Sequence, residues 1–533
     1  MTARRAGVLV LLGAALLTAS YPPFQLPFLS FVALVPAVLL LDGVAGDAVL
    51  AWRLGFRYGL VTYGLVLHWL VVALWHFTKL AAVGYLAIIV VLGALTGTLF
   101  WFVTRLRASF RLPLALLLPI GWTATEWLVG HIGELSFPWL GLGTSLADAP
   151  VLVQWADLAG ARGVGVWLAW CSVMIGEAIS RAGTGGGGAK REMAAIARRL
   201  VPVAVSIALA WGYGVWRERT VPRRDVGTIA LVQPNIAYSE KWNEAEANGE
   251  VELLLSLSRQ ARAAARPDLV VWPESAVPYF LTERLGWAAE IGRFASENRT
   301  PVITGGLHVR WHSDGTADVY NAAFYFDSLG RWENYPVYAK HDLVPVVERV
   351  PFVPVAWFRA LPWLGRWSGG FAHGDTLPLY AGGTPSLPLR FGVIICYESA
   401  FEALPRRYRA LGADFLVNVT NDAWYGRTAG PYQHATHLVM RAIETRMGVA
   451  RAANSGISEF VDPLGRVSGA SALETRTVVT GHLFTSDIRT LYVRWGDWVG
   501  TLVMVTVLVL AAALLARERL GWGRPPTAAG GTT

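Results

Sequence analysis

The chain has 533 residues, too many for one ordinary domain. It is 54% hydrophobic and only 16% charged, with a mean hydropathy of +0.41, which excludes an ordinary soluble composition. A net charge of +8 would suit a nucleic-acid partner, but the placement of that charge removes the need for one.

Roughly 17–25 nearly uncharged residues suffice to span a bilayer. Blocks of this kind occupy 7–20, 24–41, 56–77, 81–104, 112–131, 163–180 and 200–216, with an eighth at 495–516. Pro22, Pro23, Pro27 and Pro36 interrupt the first two. The first block resembles a signal peptide, but Ala19-Ser20-Tyr21-Pro22-Pro23 is a poor cleavage site and more blocks follow, so it reads as an uncleaved span. Arg4, Arg5, Arg105, Arg107, Arg111, Arg181, Lys190, Arg191, Arg198 and Arg199 lie in short gaps between blocks, and Arg517, Arg519 and Arg524 follow the last. Those thirteen bases face two acids in the same stretches, Glu192 and Glu518, an excess larger than the whole net charge. Retention of positive charge on the cytoplasmic side explains it. An inside N-terminus and seven crossings then put segment 217–494 outside and the C-terminus inside. Two features run against that arrangement: Arg217, Arg219, Arg223 and Arg224 follow the seventh block, and the gap at 42–48 holds Asp42 and Asp47 with no base.

Glu126, inside the fifth block, is either a functional intramembrane carboxyl or a buried structural one, and the structural role is preferred. The run Gly183-Thr184-Gly185-Gly186-Gly187-Gly188-Ala189 is a connector; it lacks the Lys-Ser/Thr ending of a phosphate loop. Many of the 24 tryptophans lie near span ends, where interface anchoring explains them.

From Val226 the texture changes to short β-type runs alternating with amphipathic helices, the pattern of an α/β layered fold. Strands are predicted at Thr228–Gln233, Leu269–Trp272, Val302–Gly305, Asn321–Phe326, Phe391–Ile395, Phe415–Val419 and Ile457–Val461. Helices are predicted over Gly249–Ala265, Thr282–Asn298 and His434–Met447. The organisation is therefore a membrane domain (1–225, about seven spans), an α/β domain (226–490), and a C-terminal span with a tail (491–533).

Three stretches carry chemistry. Leu269-Val270-Val271-Trp272 runs into Pro273-Glu274-Ser275; Tyr338-Ala339-Lys340-His341 leads on to Glu348; and the apolar run ending at Ile395 delivers Cys396-Tyr397-Glu398. Each sets a reactive side chain at the end of an extended run, where sites in α/β folds gather. Singly, they read as a turn acid, a surface lysine and an inert buried thiol. The second cysteine, Cys171, lies within an apolar block and reads as a packing residue. His434 and His437 stand three apart on a predicted helix, a spacing compatible with a metal, but no third ligand stands nearby and no metal or cofactor is expected.

Taken together, Glu274, Lys340 and Cys396 resemble the Glu-Lys-Cys triad of the nitrilase superfamily in chain order and strand context. The resemblance extends to Asn418-Val419-Thr420-Asn421-Asp422-Ala423-Trp424-Tyr425-Gly426, to Arg441–Arg446 and to Arg451–Gly456. With seven spans before that domain and one after it, the whole chain resembles the apolipoprotein N-acyltransferase family more specifically. Val232-Gln233-Pro234-Asn235-Ile236, Lys241-Trp242 and Phe137-Pro138-Trp139-Leu140-Gly141 add to the match, Pro234 standing where a glycine is expected. The resemblance implies an α-helical polytopic membrane domain of about eight spans plus a nitrilase-like α-β-β-α sandwich. It implies residence in a bacterial inner membrane with the catalytic domain on the periplasmic face.

A free thiol, with a pKa of about 8.5, is mostly protonated at neutral pH and needs a base or a cation beside it. Glu274 would take the proton; Lys340 and the Tyr397 backbone N–H would stabilise the oxyanion. The resemblance gives Glu348 and Glu398 supporting roles, though either reads equally well as a structural acid. Trp242 and Asn421 are the substrate-binding candidates. The expected reaction moves a fatty acyl chain from a phospholipid, through a Cys396 thioester, to the α-amino group of a diacylglyceryl-cysteine on an apolipoprotein. The chain is expected to be a monomer whose partners are those two substrates and membrane lipids. The segment Val350–Trp367 is either a lid dipping into lipid or an ordinary packed loop. The alternatives are a membrane-tethered amidase or nitrilase using water, and a transporter or scaffold carrying an inactive domain.

Overall fold

A computed structural model of the chain describes residues 1–24, 26–44, 46–75, 81–182, 189–237, 247–353, 370–384 and 387–520. The N-terminal part is helical: α1 (Ala3–Ser20), α2 (Val35–Gly43), α3 (Ala48–Val66), α4 (Trp69–Trp75), α5 (Ala81–Phe110), α6 (Leu114–Val129), α7 (Ala156–Ala182) and α8 (Ala189–Thr220). Among the described residues five helices are long and apolar enough to cross a membrane: Ala3–Ser20, Ala81–Phe110, Ala156–Arg181, Ile196–Thr220 and, near the C-terminus, Trp498–Arg519. The pair α3 and α4, bent by 59°, makes a sixth. The other two apolar blocks form the shorter helices Pro27–Gly43 and Leu114–Val129. In the first of these, Pro27 and Pro36 each occupy the first turn of a separate helical piece, where a missing N–H costs nothing, so the block is split.

The third block starts earlier than its hydropathy indicates. Asp47 caps α3 by accepting from the Leu50 N–H at 2.9 Å, so one acid in the base-free gap serves a helix end. The break after α3 releases the Val66 carbonyl, which accepts from Gln433 Nε2 at 3.3 Å.

The α/β domain is two packed sheets with helices outside. One sheet has the strand order β13-β1-β2-β4-β5-β6, with β3 paired to β4. Its members are β1 (Arg224–Gln233), β2 (Leu269–Val271), β3 (Val277–Phe280), β4 (Val302–Trp311), β5 (Ala317–Phe326), β6 (Tyr338–Ala339) and β13 (Thr477–Thr485). The other runs β12-β11-β10-β9-β8-β7, from β7 (Tyr380–Thr384), β8 (Leu387–Ile395), β9 (Phe415–Thr420), β10 (Gly448–Ala453), β11 (Glu459–Val461) and β12 (Val467–Ser468). Side chains alternate between faces with period two. Ile229, Leu231, Leu269 and Val271 join Phe391, Val393, Phe415 and Val417 in the core between the sheets. Ala230, Val232, Val270 and Trp272 instead face α9 (Ala247–Ala265) and α10 (Leu285–Asn298). The second sheet is followed by α11 (Ala403–Leu411) and α12 (Gly430–Thr445), and the chain closes with α13 (Leu491–Trp495) and α14 (Trp498–Leu520).

Buried ion pairs rivet the two halves. Arg446, fully buried just past α12, reaches Asp157 Oδ2 at 2.7 Å and Gln154 Oε1 at 2.6 Å. Asp157 also takes Arg217 at 2.6 Å and the Tyr213 hydroxyl at 2.8 Å.

Candidate active site

Strand ends bring the three chemical stretches together. Glu274 follows β2, Lys340 follows β6, and Cys396 follows β8. All three are at most 2% exposed. Lys340 Nζ donates to Glu348 Oε1 at 2.9 Å and reaches Glu274 Oε1 at 3.5 Å. Against the effect of burial, those two carboxylates raise the lysine pKa, so it stays an ammonium. Asn321, on β5, bridges the same pair, donating from Nδ2 to Glu274 at 2.7 Å and Glu348 at 2.9 Å. Glu348 is anchored further by the Val344 N–H at 2.8 Å, and Glu274 by the Asn421 N–H at 2.9 Å.

Cys396 adopts a φ of +51°, a left-handed conformation disfavoured for a side chain with a Cβ. Such strain persists only where the surroundings hold it. Glu398 does part of this, its Oε2 accepting from the Ile395 N–H at 2.6 Å and the Tyr338 hydroxyl at 2.7 Å. Its Oε1 accepts from the His341 and Asp342 N–H groups at 2.6 and 3.2 Å. Burial, then the Asp342 charge, pushes the Glu398 carboxyl up to about 8, while the donors on its two oxygens favour the anion. One acid thus joins the Cys396 turn to the Lys340 segment.

The thiol itself is pushed well above its ordinary pKa, first by burial and then by the Glu274 charge; Lys340 and the Thr420 hydroxyl pull the other way. At rest it is a neutral thiol beside a carboxylate and an ammonium. That arrangement can deliver a proton to a base and hold an oxyanion.

Tyr397 faces the membrane half. Its hydroxyl donates to the Ser136 carbonyl at 2.8 Å, and its ring stacks against Phe137 and Trp139. Glu134 in the same loop binds Arg349 at 3.2 Å and the Phe352 N–H, and so ties down the start of segment 350–367. Residues 354–367 of that segment, the glycine run 183–188 and the substrate candidate Trp242 lie outside the described residues. The side chain of Asn421, the other candidate, bonds Asn454 Nδ2 at 3.0 Å, so this residue's link to the site is its backbone.

Sequence reasoning passed over Asn321, Thr420, Asp422, His434 and Arg451 as members of the site. His434 is wholly buried, with Nε2 2.9 Å from the Cys396 carbonyl and Nδ1 2.8 Å from Asp422. Glu126 accepts from Trp122 Nε1 at 2.8 Å and the Leu142 N–H at 2.9 Å. It lines a junction cavity that also touches Arg162, Arg441 and Glu444; Glu274, Lys340 and Cys396 do not line it.

Two family models match this chain: carbon-nitrogen hydrolase over residues 228–492, and the apolipoprotein N-acyltransferase N-terminal domain over 13–174. The chain is similar to the apolipoprotein N-acyltransferase of Geobacter metallireducens, 30% identical over 97% of this chain and 96% of that protein. It is also similar to that of Brucella melitensis biotype 1, at 31% identity over 97% of this chain and 99% of that one. Among solved structures, an amidase from Nesterenkonia sp. AN1 aligns at 17% identity and a TM-score of 0.36, covering 49% of this chain and 92% of that one. Saccharomyces cerevisiae Nit3 aligns at 17% identity and a TM-score of 0.37, covering 49% and 91%.

Proposed function

The chain belongs to the apolipoprotein N-acyltransferase family, and on that premise we propose that Cys396 carries a fatty acyl chain between a phospholipid and an apolipoprotein. In the first half-reaction Glu274 takes the thiol proton as sulfur attacks the ester carbonyl. The S–C bond forms, the C–O bond breaks, and the glycerol oxygen leaves with the proton from Glu274 as a lysophospholipid. In the second, the neutral α-amino group of the diacylglyceryl-cysteine attacks the thioester. The N–C bond forms, the C–S bond breaks, and the amine proton passes through Glu274 back to sulfur. Lys340 and the Tyr397 N–H stabilise both tetrahedral oxyanions, each such donor being worth about 10²–10³ in rate. Glu348 and Asn321 hold Lys340 and Glu274 in register. Resident cofactors have no part in this scheme. The charge asymmetry of the sequence supports an outward-facing catalytic domain, and the family membership supports an inner-membrane location.

One observation carries the reading: the buried Glu274–Lys340–Glu348–Asn321 cluster lies beside a buried thiol whose neighbouring tyrosine is bonded into the membrane half. That placement suits a lipid ester better than a small soluble amide. The test is the intact mass of the purified chain after incubation with phospholipid and no acceptor. A gain of one acyl group, absent in Cys396→Ala, is expected. Hydrolysis of a soluble amide with no lipid adduct would replace the proposal with an amidase.

A further inference from the structure

The left-handed turn at Cys396 is gripped at a point the triad does not explain. The Cys396 carbonyl accepts from His434 Nε2 at 2.9 Å. A carbonyl oxygen only accepts, so Nε2 carries a proton. On the far side of the ring, Nδ1 lies 2.8 Å from Asp422 Oδ1 and 3.1 Å from Arg451 Nη2. The support behind the ring is itself fixed. Asp422 Oδ2 accepts from Arg451 Nη2 at 2.8 Å, and Arg451 Nη1 donates to Asn418 Oδ1 at 2.6 Å. Every one of these side chains is at most 2% exposed. A Cβ at position 456 would come within 2.1 Å of Asp422 Oδ2, so the backbone closes tightly over the acid.

The gripped oxygen belongs to the peptide unit that joins Cys396 to Tyr397. That unit is planar, with its C=O and N–H pointing in opposite directions. Fixing the Cys396 carbonyl therefore fixes the direction of the Tyr397 N–H. A donor on the carbonyl also polarises the unit and strengthens its N–H as a donor.

We infer that His434 is a positioning residue for the reaction: braced by Asp422, which Arg451 in turn fixes, it grips the Cys396 carbonyl and so aims the Tyr397 N–H at the acyl oxyanion. It does not touch the acyl group. The placement of sulfur depends on the turn, which Glu398 holds separately through the Ile395 N–H at 2.6 Å. This inference rests on the proposed thioester chemistry.

The two functions of the turn separate experimentally. Thioester formation passes through an oxyanion. Alkylation of the thiol by iodoacetamide displaces iodide at a saturated carbon and forms none. With the full chain in detergent, His434→Ala is expected to slow acyl loading from phospholipid by about 10–100-fold, part of the loss typical of a missing oxyanion donor. Alkylation of Cys396 should stay within about threefold of the parent protein. His434→Gln, whose amide can still donate, should recover part of the loading rate, and Asp422→Asn should lose part of it. Loading unchanged in His434→Ala, or loading and alkylation falling by the same factor in both His434 variants, overturns the inference while leaving the thioester reading intact. A parent protein that alkylates but never loads overturns both.

Discussion

Replacing Lys340 with methionine keeps most of the side-chain volume and removes the ammonium. Its Nζ lies 2.9 Å from Glu348 and 3.5 Å from Glu274, all three side chains being buried. Both carboxylates bond the one Asn321 nitrogen, at 2.7 and 2.9 Å, so the bonded oxygens are at most 5.6 Å apart. At an effective dielectric of about 20, two negative charges at that distance repel by about 3 kcal/mol. Removing one partner from a buried ion cluster costs about 3–5 kcal/mol, which for a domain of this size lowers Tm by on the order of 10 °C. The pH dependence has a definite sign. A lysine whose folded pKa is raised contributes stability that is fully present below its unfolded value, about 10.4, so the parent protein keeps it at both pH 8 and pH 5. In Lys340→Met the deficit is largest at pH 8 and shrinks at pH 5, where protonation of one carboxyl relieves the repulsion. Thermal unfolding of the detergent-solubilised chain, followed by tryptophan fluorescence, measures it. The double variant Lys340→Met/Glu348→Gln should regain at least half of the lost stability, with acyl transfer still down by about 10²-fold or more. A Tm within about 2 °C of the parent at pH 8, or a deficit indifferent to pH, would refute the account of the cluster.

Other outcomes follow from the same contacts. Because burial and Glu274 push the Cys396 thiol up, iodoacetamide labelling should keep rising past pH 9, and a plateau below pH 8 would reveal a resting thiolate instead. Arg446→Met leaves Asp157 with Arg217 as its remaining basic partner; a loss of about 3–5 kcal/mol should appear as easier proteolysis between the halves, and unchanged protease resistance would count against the rivet. Gly456→Ala drives a methyl group to within 2.1 Å of Asp422, so reduced stability, by about 1–3 kcal/mol, and slower acyl loading are expected; a variant with normal Tm and normal loading would show that the backbone there can yield.

Lys340, after the two-residue strand Tyr338–Ala339, was joined to Glu274 and Cys396 only by the family resemblance, whereas those two were legible because each follows an apolar strand. Strands that are buried on both faces were legible for the same reason. The strand β10 was not, since Gly448-Val449-Ala450-Arg451-Ala452-Ala453 lacks the β-branched run that marks a strand, and pairing with β9 and β11 decides it. Nor was β13, whose partner β1 lies some 250 residues away. The support around the site was hidden for another reason. Asn321 and His434 act through contacts 47 and 38 residues distant in sequence, and no spacing rule links them to Glu274 or Cys396. The two histidines at metal-like spacing diverge in the structure: His434 grips a carbonyl, while His437 packs edge-on against Trp139. Among the apolar blocks, hydropathy located each helix but not its ends, because caps and prolines set those.

The pairing of β1 with β13 also governs the order in which the protein can be built. Strand Arg224–Gln233 is synthesised soon after the seventh apolar block, yet its antiparallel neighbour, ending at Thr485, emerges only after nearly all of the catalytic half. Until then β1 is the open edge of the first sheet. A chain that ends anywhere between Cys396 and Thr477 therefore holds Glu274, Lys340 and Cys396 but lacks the strand that covers β1. Completion of the last strand, just ahead of the final apolar helices, is the step that covers the β1 edge of the first sheet.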